Sequence, residues 1–317
     1  MYEYFRQAFL TSRQFCSGTV ETLFEAFPER VVEIGFGNGD FLAYLTKSLG
    51  ERTLVLGLEV SAVCALKAVR RLAHLDPGNV RVILGDARYV LENCLPDGSI
   101  STIYMNFPCP WPKKRHSSRR VTHGRFSESL SRVLKTGGEF RLVTDEEWYA
   151  IEVKEGFSSN PSLEFASFEI DPVLELTTKY ASKWKAMGKS SYRLTIRKTR
   201  EEQKTHPVKM EGNMTMHCKL SLAEPALSKN QAERLIGRKG SQGAFHWSFK
   251  SIYWSSDGHA LLKTITSDEG FEQTFFFRLV FAEAGLLIKL EDAGAPLHTP
   301  SVRLAMDSLA EYFKEKP

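Results

Sequence analysis

Arg30-Val31-Val32-Glu33-Ile34-Gly35-Phe36-Gly37-Asn38-Gly39-Asp40 decides the architecture of this 317-residue chain. Its first five residues are a short β-rich run. Glycines at every second position then stop the strand, and Phe41, Leu42, Leu45 and Leu49 recur at helical spacing. The stretch therefore reads as strand, glycine turn and helix. The same unit repeats outward. Residues 53–58 form a strand that stops at Glu59, before a helix from Ser61 to about Leu72. Residues 79–84 form a third strand, ending at Gly85-Asp86, before a helix through Cys94. Residues 99–105 form a fourth and lead into Asn106. A helix over 124–134 and a turn at 136–138 precede a fifth strand, 139–144, with Asp145 at its end. Strands alternating with helices of this length predict an α/β fold with a doubly wound, Rossmann-like parallel sheet. Ligands of such sheets gather outside the carboxyl ends of the strands, where Glu33, Glu59, Asp86, Asn106 and Asp145 all fall. Residues 163–170 and 191–197 complete the sheet as an antiparallel pair, and residues 1–29 read as a helical lead-in.

Beyond residue 200 the pattern changes. A polar linker, 201–213, precedes a segment, 214–317, with four strand-like runs (245–254, 260–266, 273–281, 286–290) and a helix from Ser301 to about Lys314. This predicts a small α+β accessory domain after the 30–200 domain. Net charge is +4, and the whole excess lies in residues 1–204, with 29 Lys/Arg against 25 Asp/Glu; residues 205–317 carry 13 of each. The five cysteines are scattered without a CxxC pair, so neither a disulfide framework nor a metal site is expected. The first ten residues lack the apolar run of a signal peptide, and no segment approaches the ~20 apolar residues of a membrane span. These features predict a cytoplasmic protein with no membrane association.

Residues 106–120, Asn-Phe-Pro-Cys-Pro-Trp-Pro-Lys-Lys-Arg-His-Ser-Ser-Arg-Arg, carry the most specific chemistry. Pro108, Pro110 and Pro112 exclude a helix and stiffen the path. Lys113, Lys114, Arg115, Arg119 and Arg120 follow with no acid between Asn106 and Arg125, which suits a phosphate backbone. A solvated surface loop is the plain alternative, but such a loop has no use for Trp111 between prolines.

The 33–39 run resembles the first motif of S-adenosylmethionine-dependent methyltransferases. Its glycines let backbone approach the cofactor, and Glu33 holds the amino-acid moiety. Glu59, twenty residues after Gly39, can accept both ribose hydroxyls, and Asp86 can accept from the adenine amino group. Either carboxylate alone could be a helix N-cap; an adenosyl ligand wants all three acceptors in this order. The 106–120 string resembles the signature of the bacterial tRNA guanine-N7 methyltransferase family, which methylates the variable-loop guanine at position 46. Thr144-Asp145, Thr178-Lys179-Tyr180 and the Gly188 to Arg193 segment resemble its later motifs, and the likeness spans about residues 30–200. The resemblance implies S-adenosyl-L-methionine as cofactor, held by Glu33, Gly35, Gly37, Gly39, Glu59, Asp86 and Asn106. It implies tRNA as partner, with Lys113, Asp145, Thr178 and Lys179 on the guanosine and Lys114, Arg115, Arg119 and Arg120 on the backbone. Two positions depart from the family. Cys109 stands where it has an aspartate treated as catalytic, and Ala181 where a glutamate usually closes the Thr-Lys-aromatic motif. Guanine N7 has a lone pair and no proton, so the missing aspartate need not abolish transfer. The competing readings are a catalytically silent homologue that binds tRNA and cofactor, and a methyltransferase acting on exocyclic amino groups.

Overall fold

The computed structural model describes residues 8–16, 20–75, 78–174, 176, 188–201, 216–221, 229–268, 271–282, 285–291 and 296–314. The chain divides into two compact units, Met1–Lys209 and Met210–Pro317. The boundary falls inside the 201–213 stretch, nearly all of which lies outside the described residues.

The first unit is an eight-stranded sheet. In chain order its elements are β1 (Phe9–Thr11), α1 (Val20–Ala26), β2 (Glu29–Ile34), α2 (Asp40–Ser48), β3 (Thr53–Glu59), α3 (Ala62–Ala73), β4 (Val80–Leu84), α4 (Ala87–Asn93) and β5 (Ile100–Asn106). There follow α5 (Phe126–Val133), β6 (Leu134–Thr144), α6 (Glu147–Phe157), β7 (Leu163–Ile170) and β8 (Tyr192–Lys198). The strand order is β1-β4-β3-β2-β5-β6-β8-β7, parallel from β1 to β6, with β8 and β7 antiparallel. The central strands are apolar on both faces because both are covered. Val32, Ile34, Leu56 and Leu58 face a core with Val90, Leu130 and Tyr149. Their neighbours Val31 and Val55 turn the other way, onto Phe41 and Leu45 of α2 and Val69 and Leu72 of α3.

Four sequence expectations need correction. The lead-in is not purely helical: Phe9–Thr11 pairs in parallel with β4. Three residues are too few to show a period, and the open edge of β4 recruits them by its unpaired backbone groups. Cys16 and Cys94 form a disulfide between that lead-in and the end of α4, a pairing across 78 residues that spacing cannot reveal. The 136–138 turn is absorbed into β6, which begins at Leu134 and takes up three extra residues as an irregularity between the Ile100–Leu134 and Thr102–Glu139 pairs. The basic strip coils into a 3-10 helix, Lys114–Arg119, once the prolines are past.

The second unit is a six-stranded antiparallel sheet, ordered β10-β11-β12-β13-β14-β9, with β9 His217–Ser221, β10 Lys239–Gln242, β11 Phe245–Trp254, β12 Ala260–Asp268, β13 Phe271–Ala282 and β14 Gly285–Leu290. A short helix α7 (Lys229–Glu233) precedes β10, and α8 (Pro300–Lys314) lays Val302, Ala305, Met306 and Leu309 on Leu262, Phe275, Phe277 and Ile288. The predicted meander is β11 to β14. The outer strands β9 and β10 escaped notice because they are short and mostly polar.

Candidate functional site

Parallel pairing in register brings the strand ends together. Ile34 lies beside Leu58 and Met105, Glu59 beside Leu84, and Asn106 beside Val143. Glu33, Glu59, Asp86, Asn106 and Asp145 therefore share one edge of the sheet.

The glycine turn crosses above Glu33. Gly35, Gly37 and Gly39 have φ of 71°, 55° and 78°, left-handed values that side chains resist. A Cβ at Gly39 would come within 2.7 Å of Ala68, so this glycine lets α2 start against α3, while Gly35 and Gly37 face open space. Glu59 braces the turn: its Oε2 accepts from the Gly37 amide at 3.1 Å and its Oε1 from the Ser61 amide at 2.9 Å. Beneath, Glu33 is 2% exposed. Burial pushes its carboxyl up to about 8; the Asn106 amide opposes the rise and the Glu59 charge adds to it. Glu33 Oε2 and Asn106 Nδ2 are both buried with no hydrogen-bond partner. Buried polar atoms left this way cost free energy unless a ligand pairs with them.

Asp86 occupies the plain position as well as the functional one. It is the N-cap of α4, accepting from the Arg88 amide at 2.8 Å, and its carboxylate pairs with the Arg88 guanidinium at 2.7 Å. Arg88 makes four hydrogen bonds to the two oxygens, two on each, so a ligand donor would have to share or displace one of them. Asp145 follows β6 with its side chain 11% exposed, and Lys189 Nζ approaches it to 3.6 Å. Thr178, Lys179 and Ala181 lie outside the described residues.

The proline turn leaves the same edge. The Phe107 amide donates to the Val143 carbonyl at 2.7 Å, extending the ladder by one bond. Phe107 and Trp111 then take φ of 49° and 45°, a left-handed conformation that costs a bulky residue about 1–3 kcal/mol and needs external restraint. Arg120 supplies that restraint. Its Nε donates to the Pro110 carbonyl at 2.9 Å and its Nη2 to the Trp111 carbonyl at 3.0 Å. Its Nη1 meets both carboxylate oxygens of Glu152 on α6 at 2.5 and 2.6 Å, and its guanidinium lies 5.0 Å from the centre of the Trp148 ring. At 6% exposure Arg120 faces inward and cannot join the phosphate-facing strip expected of it. Lys113, Lys114, Arg115 and Arg119 are exposed, and Arg119 lies over Trp111 at 5.0 Å. Cys109 is exposed at the crest of the turn. Behind it Tyr149 is buried, its hydroxyl 3.1 Å from Thr122, and burial pushes its pKa up to about 12. Sequence reasoning missed the Arg120–Glu152 clasp, since an acid on an amphipathic helix looks the same whether it meets solvent or an arginine.

Among the described residues no cluster of His, Cys, Asp and Glu could hold a metal ion, and no helix is long and apolar enough to cross a membrane. Comparison with known proteins places this geometry in context. The model of a putative methyltransferase family matches residues 28–194. A tRNA (guanine-N(7)-)-methyltransferase of Thermotoga maritima is 38% identical over 284 residues, covering 89% of this chain and 88% of that protein. One from Thermus thermophilus is 31% identical, covering 92% and 91%. One from Nitrosococcus oceani is 34% identical over 177 residues, covering 56% of this chain and 75% of that one. An alignment over 89% of the chain must run well into the second unit, so likeness does not stop near residue 200 as the motifs suggested. The chain belongs to the tRNA (guanine-N(7)-)-methyltransferase family.

Proposed function

We propose that this protein methylates N7 of a guanine in tRNA, at position 46 of the variable loop, in the cytoplasm where tRNA is found. The observation that carries the reading is the pair of unpartnered polar atoms, Glu33 Oε2 and Asn106 Nδ2, buried under an open glycine turn beside an exposed basic strip. S-adenosyl-L-methionine, when bound, supplies an electrophilic methyl group on a sulfonium centre. The residues fit it. Glu33 and Asn106 offer an acceptor and a donor to an amino-acid group, and Gly35 and Gly37 leave room for close backbone approach. Glu59 keeps free lone pairs for ribose hydroxyls, and Asp86, engaged by Arg88, would share an oxygen with the adenine amino group.

The acceptor side needs little chemistry. Guanine N7 is a nucleophile without a proton, so position 109 need not be a base, and a neutral cysteine is compatible with transfer. The work is alignment and accommodation of the positive charge the purine gains. Asp145 provides a carboxylate at the same edge, with Lys113 on the proline turn and Thr178 and Lys179 assigned to the guanosine by resemblance. Lys114, Arg115 and Arg119 neutralise phosphates.

The test is to incubate the protein with methyl-labelled cofactor and tRNA from a strain lacking the modification, then digest to nucleosides. Label in 7-methylguanosine supports the reading. Label confined to an exocyclic-amino product, or binding of both ligands without transfer, contradicts it.

A further inference from the structure

The register of the second unit's sheet sorts its side chains into two faces. One packs on α8. The other carries no helix among the described residues, and on it Lys219, Lys263, Arg278 and Lys289 outnumber the acids Glu272 and Glu291. Arg278 stands directly opposite Lys289 across the β13–β14 ladder, and Lys289 stands opposite His217 on β9. Lys219 follows His217 by two residues on the same face, and Lys263 of β12 is paired with Phe276 one row away. Lys219, Lys263 and Lys289 have no carboxylate partner among the described residues; Arg278 meets Glu291 at 3.8 Å. Like charges placed directly across an antiparallel pair destabilise a sheet. A fold that keeps them there, with Glu291 answering Arg278 alone, carries a cost that a polyanion would relieve. Between the cations lie aromatic rings. Tyr253 is 53% exposed, and its ring meets that of Phe276 edge-on at 6.0 Å between centroids.

From this arrangement we infer that the open face of the β9–β14 sheet is a second RNA-binding surface, taking unpaired nucleotides of an RNA strand. Lys219, Lys263, Arg278 and Lys289 would meet phosphates. Tyr253 and Phe276 would offer stacking platforms that a duplex, with its bases already stacked, cannot use. The inference goes beyond methyl transfer and does not depend on it.

The full-length chain carrying Lys219→Gln, Lys263→Gln and Lys289→Gln tests it. Affinity for bulk tRNA is expected to fall about tenfold or more. The slope of log K against log salt should flatten by about 0.7 for each single-strand phosphate no longer neutralised. Cofactor affinity stays unchanged, and Tm holds or rises because the like-charge register is relieved. Tyr253→Ala is expected to weaken binding of a single-stranded oligoribonucleotide by roughly tenfold while leaving a duplex of the same length unaffected. Unchanged tRNA affinity and salt slope in the triple variant would overturn the inference. So would a change confined to sedimentation, which would assign the face to a second copy of the chain. A wild type that forms no 7-methylguanosine, with variants that still lose RNA binding, would sink the methylation reading and leave this one standing.

Discussion

Glu33 bears the heaviest electrostatic burden of the residues at the sheet edge. Burial lifts its carboxyl from an ordinary 4.5 to about 8, so the folded protein holds a proton there at neutral pH that the unfolded chain has released. A raised folded-state value favours folding fully below about 4.5, and that contribution is lost as pH rises through about 8. Wild-type stability is therefore expected to decline across this window. Glu33→Gln, which cannot ionise, removes that part of the decline, so the difference between the two proteins grows by a few kcal/mol in the variant's favour. Thermal melts of both proteins from about pH 5 to about pH 9 check this; parallel curves would show that Glu33 ionises normally. A cation brought against Glu33 displaces the same proton. Cofactor binding near pH 7 is thus expected to release about one proton, read as a dependence of calorimetric enthalpy on buffer ionisation. Cys109 is the other decisive residue. It is exposed at the crest of the turn, and N7 attack has no proton to remove. Cys109→Ser is expected to keep turnover, and Cys109→Asp to keep or raise it. A steep loss in the serine variant, with a wild-type rate rising through thiol ionisation, would mean a thiolate takes part.

The proline turn and α6 form one mechanical element, joined by Arg120. Arg120→Ala strands a carboxylate and two carbonyls around a strained turn, and is expected to cost about 1–3 kcal/mol, discounted because half of the Glu152 side chain is in solvent. It should also lower kcat/KM through displacement of the turn, while the salt dependence of tRNA binding stays near wild type because the removed charge was internal. Arg115→Ala with Arg119→Ala is expected to do the reverse, flattening the salt slope by up to ~0.9 per duplex phosphate and sparing Tm. If Arg120→Ala flattens the slope as the exposed pair does, the clasp is misassigned. At this scale the sequence is readable where period and composition agree. The β2–turn–α2 unit and the strands ending at Glu59, Asp86, Asn106 and Asp145 follow from apolar runs broken by glycine or acid. It is unreadable where tertiary partners decide. Nothing local separates Arg120 from Arg119, yet one is 6% exposed and the other lies over Trp111 in solvent. Nor does spacing join Cys16 to Cys94, which only the lead-in strand beside β4 brings together.

Over the whole molecule, two units with separate cores divide the labour. The first carries the cofactor edge and the basic turn, and the second carries a sheet whose open face is cationic and aromatic. A change in sequence pattern separates these units, but charge counting hides the second one's character. Equal numbers of acids and bases conceal cations gathered on one face, and only strand register reveals them. In the first unit Glu59, proposed to accept the ribose, also holds the Gly37 amide. Glu59→Ala is therefore expected to weaken cofactor binding by about 1–3 kcal/mol by calorimetry, with a small loss of stability from the freed turn. The central claim, methyl transfer to N7 of one variable-loop guanine, is tested most directly on the tRNA strand itself. Unmodified tRNA is treated with the protein and S-adenosyl-L-methionine, then reduced with borohydride and cleaved with aniline, which cuts at 7-methylguanosine. A single new cut at position 46, absent without protein and reduced with Glu59→Ala, is the predicted result. An uncut strand, or cuts elsewhere only, would contradict it.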